Sequence, residues 1–255
     1  MLKSCDKFNS KELKEKIKNE NIDKIIIPFG SFESHGEHMP LGTDSFISTK
    51  LSEGLLKKLN GAILLPGVPF GTSIHYDKFM MSVSLRYDTL VMLAEDILRS
   101  VIKYGFKKII IINGHDGNIP ALEIACRKIK SQFNNINILY IPGWWFYSSE
   151  KLEAIFHSHS GRGHAGEAET SLGMYLNLEG IDINNLTVED NSKLNKVNKY
   201  RIELISDILE RSKKGSTGIS KEASYEKGEK IYKEFILYLT ELIGFLDNID
   251  WDISI

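Results

Sequence analysis

The densest run of ionisable side chains follows an early apolar stretch: Gly30-Ser31-Phe32-Glu33-Ser34-His35-Gly36-Glu37-His38-Met39-Pro40-Leu41-Gly42-Thr43-Asp44. Residues i and i+2 of an extended chain point to opposite sides. Glu33 and His35 could therefore serve two neighbouring metal ions if the chain bends between them, and Asp44 could return to bridge both. The segment also reads as a polar surface loop in which Gly42-Thr43-Asp44 is a helix N-cap, a position that Thr and Asp favour. A second group, Asn113-Gly114-His115-Asp116-Gly117-Asn118, closes another apolar run. Its glycines permit tight turning and close approach to a ligand, although a strand-to-helix turn with an incidental His has the same composition. A third group runs Gly163-His164-Ala165-Gly166-Glu167-Ala168-Glu169-Thr170-Ser171. His164 and Glu167 are neighbours if the chain is already helical there, and Glu169 then faces elsewhere unless the helix starts later. Acidic residues at this point also suit a plain helix start, where the dipole favours negative charge.

The seven histidines weigh these alternatives together. Six of them, His35, His38, His115, His157, His159 and His164, lie in or beside the three groups, and His75 is the exception. Histidines gathered with Asp and Glu at strand ends suit a hard or borderline divalent metal ion. Cys5 and Cys126 lie in none of the groups, which argues against a thiolate zinc site, and two cysteines cannot build a disulfide framework.

Four short apolar runs would position these groups: Lys24–Phe29, Ala62–Phe70, Lys108–Asn113 and Ile136–Pro142. Ile-rich, unalternating and bounded by Gly, Pro or Asn, they read as strands buried on both faces. Helical spacing fills the intervals at Ser45–Leu59, Thr89–Tyr104 and Ile119–Phe133, with Gly105 as a left-handed stop. Strand alternating with helix predicts an α/β domain with a mostly parallel central sheet, and in such sheets ligands bind beyond the carboxyl ends of the strands. Further helices are expected at Ala165–Leu178, Tyr200–Ser212 (through Ile202, Ile205 and Leu209) and Glu222–Leu246, with loop over Ile181–Lys199. No composition shift marks a boundary, so residues 1–255 read as one domain. Lys and Arg number 32 against 34 Asp and Glu, leaving no basic excess to hold nucleic acid. No apolar run approaches the roughly 20 residues of a membrane span, and the first residues lack a signal-peptide pattern. A cytoplasmic enzyme is the expectation.

The three groups, in this order and spacing, resemble the creatininase (creatinine amidohydrolase) family. The matching stretches are Gly30–Asp44, Ile112–Asn118 and His164–Ser171, supported by Pro66–Ser73 and Gly215–Glu229, and the likeness spans roughly residues 20–235. It implies a three-layer α/β/α sandwich, a homohexamer, and two divalent ions per chain (Zn²⁺, Mn²⁺ or Fe²⁺). By resemblance Glu33, Asp44 and His115 hold one ion, and His35, Asp44 and Glu169 hold the other. The implied reaction is hydrolysis of a C–N amide bond in a cyclic amide, formamide or small peptide, by a hydroxide shared between metals about 4 Å apart. His164 matches the family's proton-transfer histidine, Glu167 is a candidate to orient it or a ligand, and Asp116 is a further candidate for proton transfer. The candidate substrate-binding residues are Trp144, Trp145, Ser160 and His75; either Trp matches a family pocket Trp, although both could equally be core after a strand. Members that open creatinine carry Tyr-Glu after the strand-end His and a Trp four residues before the proton-transfer His. Here those positions are Asp116-Gly117 and Ser160, and Phe79-Met80-Met81-Ser82 replaces the family's FPGT. These departures point away from creatinine itself. A metal-dependent hydrolase opening a cyclic ketone or sugar-like ring is the alternative.

Overall fold

A computed structural model describes residues 4–147, 163–187 and 205–253. Among them one parallel sheet is formed by β1 (Lys24–Phe29), β2 (Ala62–Leu64), β3 (Lys108–Asn113) and β4 (Asn137–Ile141), in the order β2-β1-β3-β4. The expected strands β1 and β3 have the bounds read from sequence. The second is shorter than the run Ala62–Phe70, because Pro66, which has no N–H to donate, interrupts the ladder before Val68 pairs again with Phe29.

The helices are α1 (Ser10–Asn19), α2 (Thr43–Leu56), α3 (Tyr87–Lys103), α4 (Ile119–Gln132), α5 (Glu167–Tyr175), α6 (Ile208–Arg211) and α7 (Tyr225–Asn248). Successive strand residues alternate between two cores. Ile26, Leu64, Ile110 and Ile112 face Leu51 and Leu55 of α2, Leu172 of α5, and Phe235 and Leu239 of α7. Ile25, Ile27, Ile109 and Ile111 face Leu90, Ala94 and Leu98 of α3, and Leu122 and Ile129 of α4. The sheet is thus the middle of three layers, and its unbroken Ile runs are buried on both sides because each face has its own helices.

One helix is added to the expected set and one expectation is corrected. Helix α1, opened by a capping box between Asn9 and Glu12, has no counterpart among the expected elements. The stretch Tyr200–Ser212 does not carry the expected face: within its described part only Ile208–Arg211 is helical, Ile205 and Leu209 are exposed, and Ile208 is the buried residue. Asp207 and Glu210 cap a fresh start there, which sets a different phase from Ile202, Ile205 and Leu209. Gly105 does take a positive φ of 95° after α3.

The topology fixes where a ligand site can lie. From β1 the chain passes through α2 on one face to β2; from β3 it passes through α4 on the other face to β4. Neighbouring β1 and β3 therefore send their connections apart, and the crevice beyond their carboxyl ends is the switch point of the sheet. The two strands run in register from Lys24 opposite Lys108 to Phe29 opposite Asn113. The residues that follow each of them enter the crevice side by side.

Helices α5 and α7 press together at Gly228. A Cβ there would meet the Ser171 carbonyl oxygen at 2.0 Å and its carbon at 2.6 Å. Alanine gains about 1 kcal/mol of helix propensity over glycine, but this obstacle is backbone and cannot rotate away. Gly228→Ala is expected to lower the unfolding free energy by a net amount on the order of 1–3 kcal/mol, read from the urea midpoint. An unchanged or raised midpoint would mean that the two helices separate without cost.

Candidate metal centre

The approach of α2 to the strand ends builds the centre. A Cβ at Gly30 would lie 2.4 Å from Cα of Ser45, and one at Gly114 would lie 2.5 Å from the Asp44 carbonyl oxygen. Glycine at both positions lets the first turn of α2 wedge between the ends of β1 and β3. Gly42 occupies the N-cap with no side-chain cap bond, and Thr43 donates to the Pro40 carbonyl, so Asp44 is not a cap. Its carboxylate turns into the crevice instead. There Oδ1 lies 3.0 Å from His35 Nε2, Oδ2 lies 3.1 Å from His115 Nδ1, and Oδ2 also accepts from Ser31 Oγ at 2.6 Å.

Between Glu33 and His35 the chain does bend. Glu33 N–H donates to the Leu41 carbonyl, and Gly36 takes φ 71°. His35 Nδ1–H donates to the Glu33 carbonyl at 3.0 Å, which orients the ring so that Nε2 faces Asp44 Oδ1. Glu33 reaches the opposite end of the crevice, with Oε2 3.2 Å from His115 Nε2. Helix α5 begins at Glu167, beyond His164, and so Glu169 faces the crevice. The Ala165 N–H holds its Oε2 at 2.7 Å, while Oε1 lies 3.8 Å from His35 Nε2.

Glu167 is a correction. Two positions along a helix point to opposite sides, and its buried carboxylate pairs with Lys227 of α7 rather than with His164. His164 is held by its backbone: its N–H donates to Thr217 Oγ1, and its carbonyl accepts from the Thr217 and Gly218 amides. Its Nε2–H donates to the Ser34 carbonyl at 2.7 Å, leaving Nδ1 to face Glu33 Oε1 at 3.7 Å.

Sequence reasoning missed the residues that lace the loops together. Asn113 Nδ2 donates to the His115 and Pro142 carbonyls, and its Oδ1 accepts from the His115 amide. Asn118 Nδ2 donates to the Gly30 carbonyl, and its Oδ1 accepts from the Thr72 amide. The signal was present as an Asn at each end of the group at 113–118. Tyr76 was missed as well: it is buried and packs tilted against His164 with centroids 4.7 Å apart, in a segment without periodicity.

Among the described residues a cavity of about 890 Å³ opens over the centre. His75, Asp116 and Trp145 line it, Asp116 being exposed at its side. Trp144 goes to the core against Ile141 and Phe235, and Trp145 packs edge-on against it, 5.8 Å away. Ser160, His157 and His159 lie outside the described residues. His38 is buried on Thr170, its Nε2 3.0 Å from the hydroxyl.

Three buried carboxylates, Glu33, Asp44 and Glu169, share this space. Burial pushes Glu33 up to about 7 even with His115 opposing. Burial would raise Asp44 too, yet His35 and His115 hold it well below the usual carboxylate range. Burial would lower both of those imidazoles, but Asp44 and Glu169 lift His35 well above its ordinary value, and Glu33 and Asp44 lift His115 to about 9. Burial and the charge on His35 depress His164, which favours the neutral imidazole. Among the described residues both Glu33 oxygens are buried without a hydrogen bond, a costly state for a carboxylate unless a cation lies beside it. The donor set fits divalent ions. Ligand atoms of His35, Asp44 and Glu169 lie within 4.8 Å of one another, as do those of Glu33, His75 and His115.

A protein of Mycobacterium ulcerans named mycofactocin precursor peptide peptidase is 28% identical over 165 residues, covering 62% of this chain and 60% of that protein. The creatinine amidohydrolase of Pseudomonas putida is 22% identical over 233 residues, covering 86% of this chain and 88% of that protein. A solved structure described as Creatininase Mn shares the fold with a TM-score of 0.81 at 20% identity, covering 95% of this chain and 98% of that one. The family model Creatininase, described as creatinine amidohydrolase, matches residues 6–243, and the chain belongs to the creatininase family.

Proposed function

We propose that the chain is a dinuclear metal-dependent amidohydrolase that cleaves a C–N bond of a small amide, formamide or short peptide other than creatinine. The observation that carries this reading is the position of Asp44. One of its oxygens faces His35 and the other faces His115, and each histidine has a second carboxylate beyond it, Glu169 or Glu33. A carboxylate so flanked is built to be shared between two cations.

Glu33, Asp44 and His115 would hold one ion, and His35, Asp44 and Glu169 the other. Zn²⁺, Mn²⁺ and Fe²⁺ all suit such N/O donors. Bound there, the ions supply Lewis acidity and an acidified water. His164 is placed to move the proton. Its Nε2–H is committed to the Ser34 carbonyl, and its Nδ1 looks into the centre beside Glu33. That lone pair can take a proton from the attacking water and hand it to the departing nitrogen, which needs one to leave as an amine. Asp116, exposed beside the cavity, is a second candidate for this transfer. Trp145 and His75 form part of the wall against which a substrate would lie. The relatives named as a peptidase and as a creatinine amidohydrolase support C–N cleavage, and Gly117 argues against creatinine because nothing projects from that position.

Metal analysis of protein loaded with Zn²⁺ or Mn²⁺ is expected to give about two equivalents per chain; protein that takes up none would end this reading. Asp44→Ala is expected to lose both ions, because one residue serves each, and full occupancy in that variant would refute the sharing. His164→Ala is expected to keep both ions while turnover of a hydrolysed amide falls by about 10²–10⁴. Unchanged turnover would move the proton transfer to Asp116.

A further inference from the structure

His75 is the one histidine outside the three sequence groups, and the structure brings it to the centre. It sits in the single 3-10 turn Ile74–Tyr76, part-buried, with its ring parallel to that of His115 at an interplanar angle of 6° and a centroid separation of 5.9 Å. One ligand atom each from His75, His115 and Glu33 lie within 4.8 Å of one another. Among the described residues neither ring nitrogen of His75 makes a hydrogen bond, and Tyr76 packs against the ring at 4.8 Å. The imidazole is therefore held in place by stacking, with its donor atoms uncommitted beside the carboxylate whose own oxygens lack hydrogen bonds.

Gly117 makes room for this. A Cβ at position 117 would lie 2.9 Å from His75 Cε1, 2.6 Å from His115 Nε2 and 2.2 Å from the Thr72 carbonyl oxygen. The absence of a side chain at 117 and the presence of an imidazole from 75 are two halves of one arrangement, because a side chain at the former would displace the latter.

We propose that His75 is a fourth protein ligand to the ion held by Glu33, Asp44 and His115. This rests on the dinuclear reading above and deepens it. The two ions then have different surroundings: two imidazoles with two carboxylates at the Glu33 end, and one imidazole with two carboxylates at the Glu169 end. Imidazole suits Zn²⁺ and Fe²⁺, whereas carboxylate suits Mn²⁺. The Glu33 end should keep Zn²⁺ in the presence of excess Mn²⁺, and the Glu169 end should exchange first.

The test is Co²⁺ titration of the metal-free full-length protein, followed by calorimetry and by the visible absorption of the bound ion, beside His75→Ala and the volume-keeping His75→Gln. The expected result is two sites in the wild type. In both variants one site should weaken by about tenfold or more, as losing a group that tunes a metal ligand already does, with the other unchanged. The absorption of the weakened site should shift, and added imidazole should restore it in His75→Ala. Thermal melting of the metal-free forms guards against misfolding; if His75→Ala melts early, His75→Gln decides. Variants that bind two Co²⁺ with wild-type affinity and spectrum overturn the role of His75 while leaving the dinuclear centre standing, even if KM rises. A wild type that binds no Co²⁺ overturns both.

Discussion

Three carboxylates cannot be buried together unless positive charge is buried with them. Glu33 and Asp44 come from one early run and Glu169 from a segment far along the chain, yet all lie out of water within reach of His35 or His115. Their mutual repulsion is strengthened by the low dielectric around them. The upward shifts of both histidines show how strongly the site draws cationic character. The rest of the molecule can be understood as the apparatus that holds this unfavourable group in place: a sheet buried on both sides, helices over each face, and loops tied by amides at the strand ends.

That apparatus is rigid where rigidity matters. Gly30 and Gly114 bring α2 against the backbone of β1 and β3, so that Asp44 is positioned by main-chain contact rather than by a flexible side chain. Asn113 and Asn118 spend their amide groups on carbonyls and amides from four different segments, 30, 72, 115 and 142. The tautomers follow in turn. His35 and His164 each give one N–H to a backbone carbonyl, at Glu33 and Ser34, and each therefore directs its remaining nitrogen inward.

Much of this was legible in the sequence, for identifiable reasons. The Ile runs Lys24–Phe29 and Lys108–Asn113 carry no other reasonable reading, and both proved to be strands with the expected ends. The chemistry-bearing groups are dense and short, so their joint placement beyond β1 and β3 followed from topology. Glu167, expected to orient His164 or a ligand, pairs with Lys227 instead, because the start of α5 sets which way each residue faces and is weakly encoded when Gly166 caps without a side chain. Trp144 and Trp145 are indistinguishable by type, and only packing separates core from cavity wall. Helix α1 carries an Asn9–Glu12 cap but shows only Leu13 and Ile17 to the core, a thin periodicity. Asn118 stands out only as the second Asn of its group, and its contacts, like those of Tyr76, run to segments distant in sequence.

The pairing of Glu167 with Lys227, together with the contact of Gly228 on Ser171, has a bearing on how the molecule is made. Ribosomes deliver the chain from its N-terminus, so Glu33, His35, Asp44 and His115 emerge well before the helix that braces α5. Until that helix docks, the segment bearing Glu169 has Ala168 and Leu172 against the sheet and α2 but lacks the Phe235 and Leu239 side of the core. The assembled ligand set thus depends on contacts between residues far apart in the chain, the kind that form late and slowly in folding. The full set of carboxylates and imidazoles around Asp44 is accordingly a property of the finished polypeptide, complete only once α7 has docked on α5.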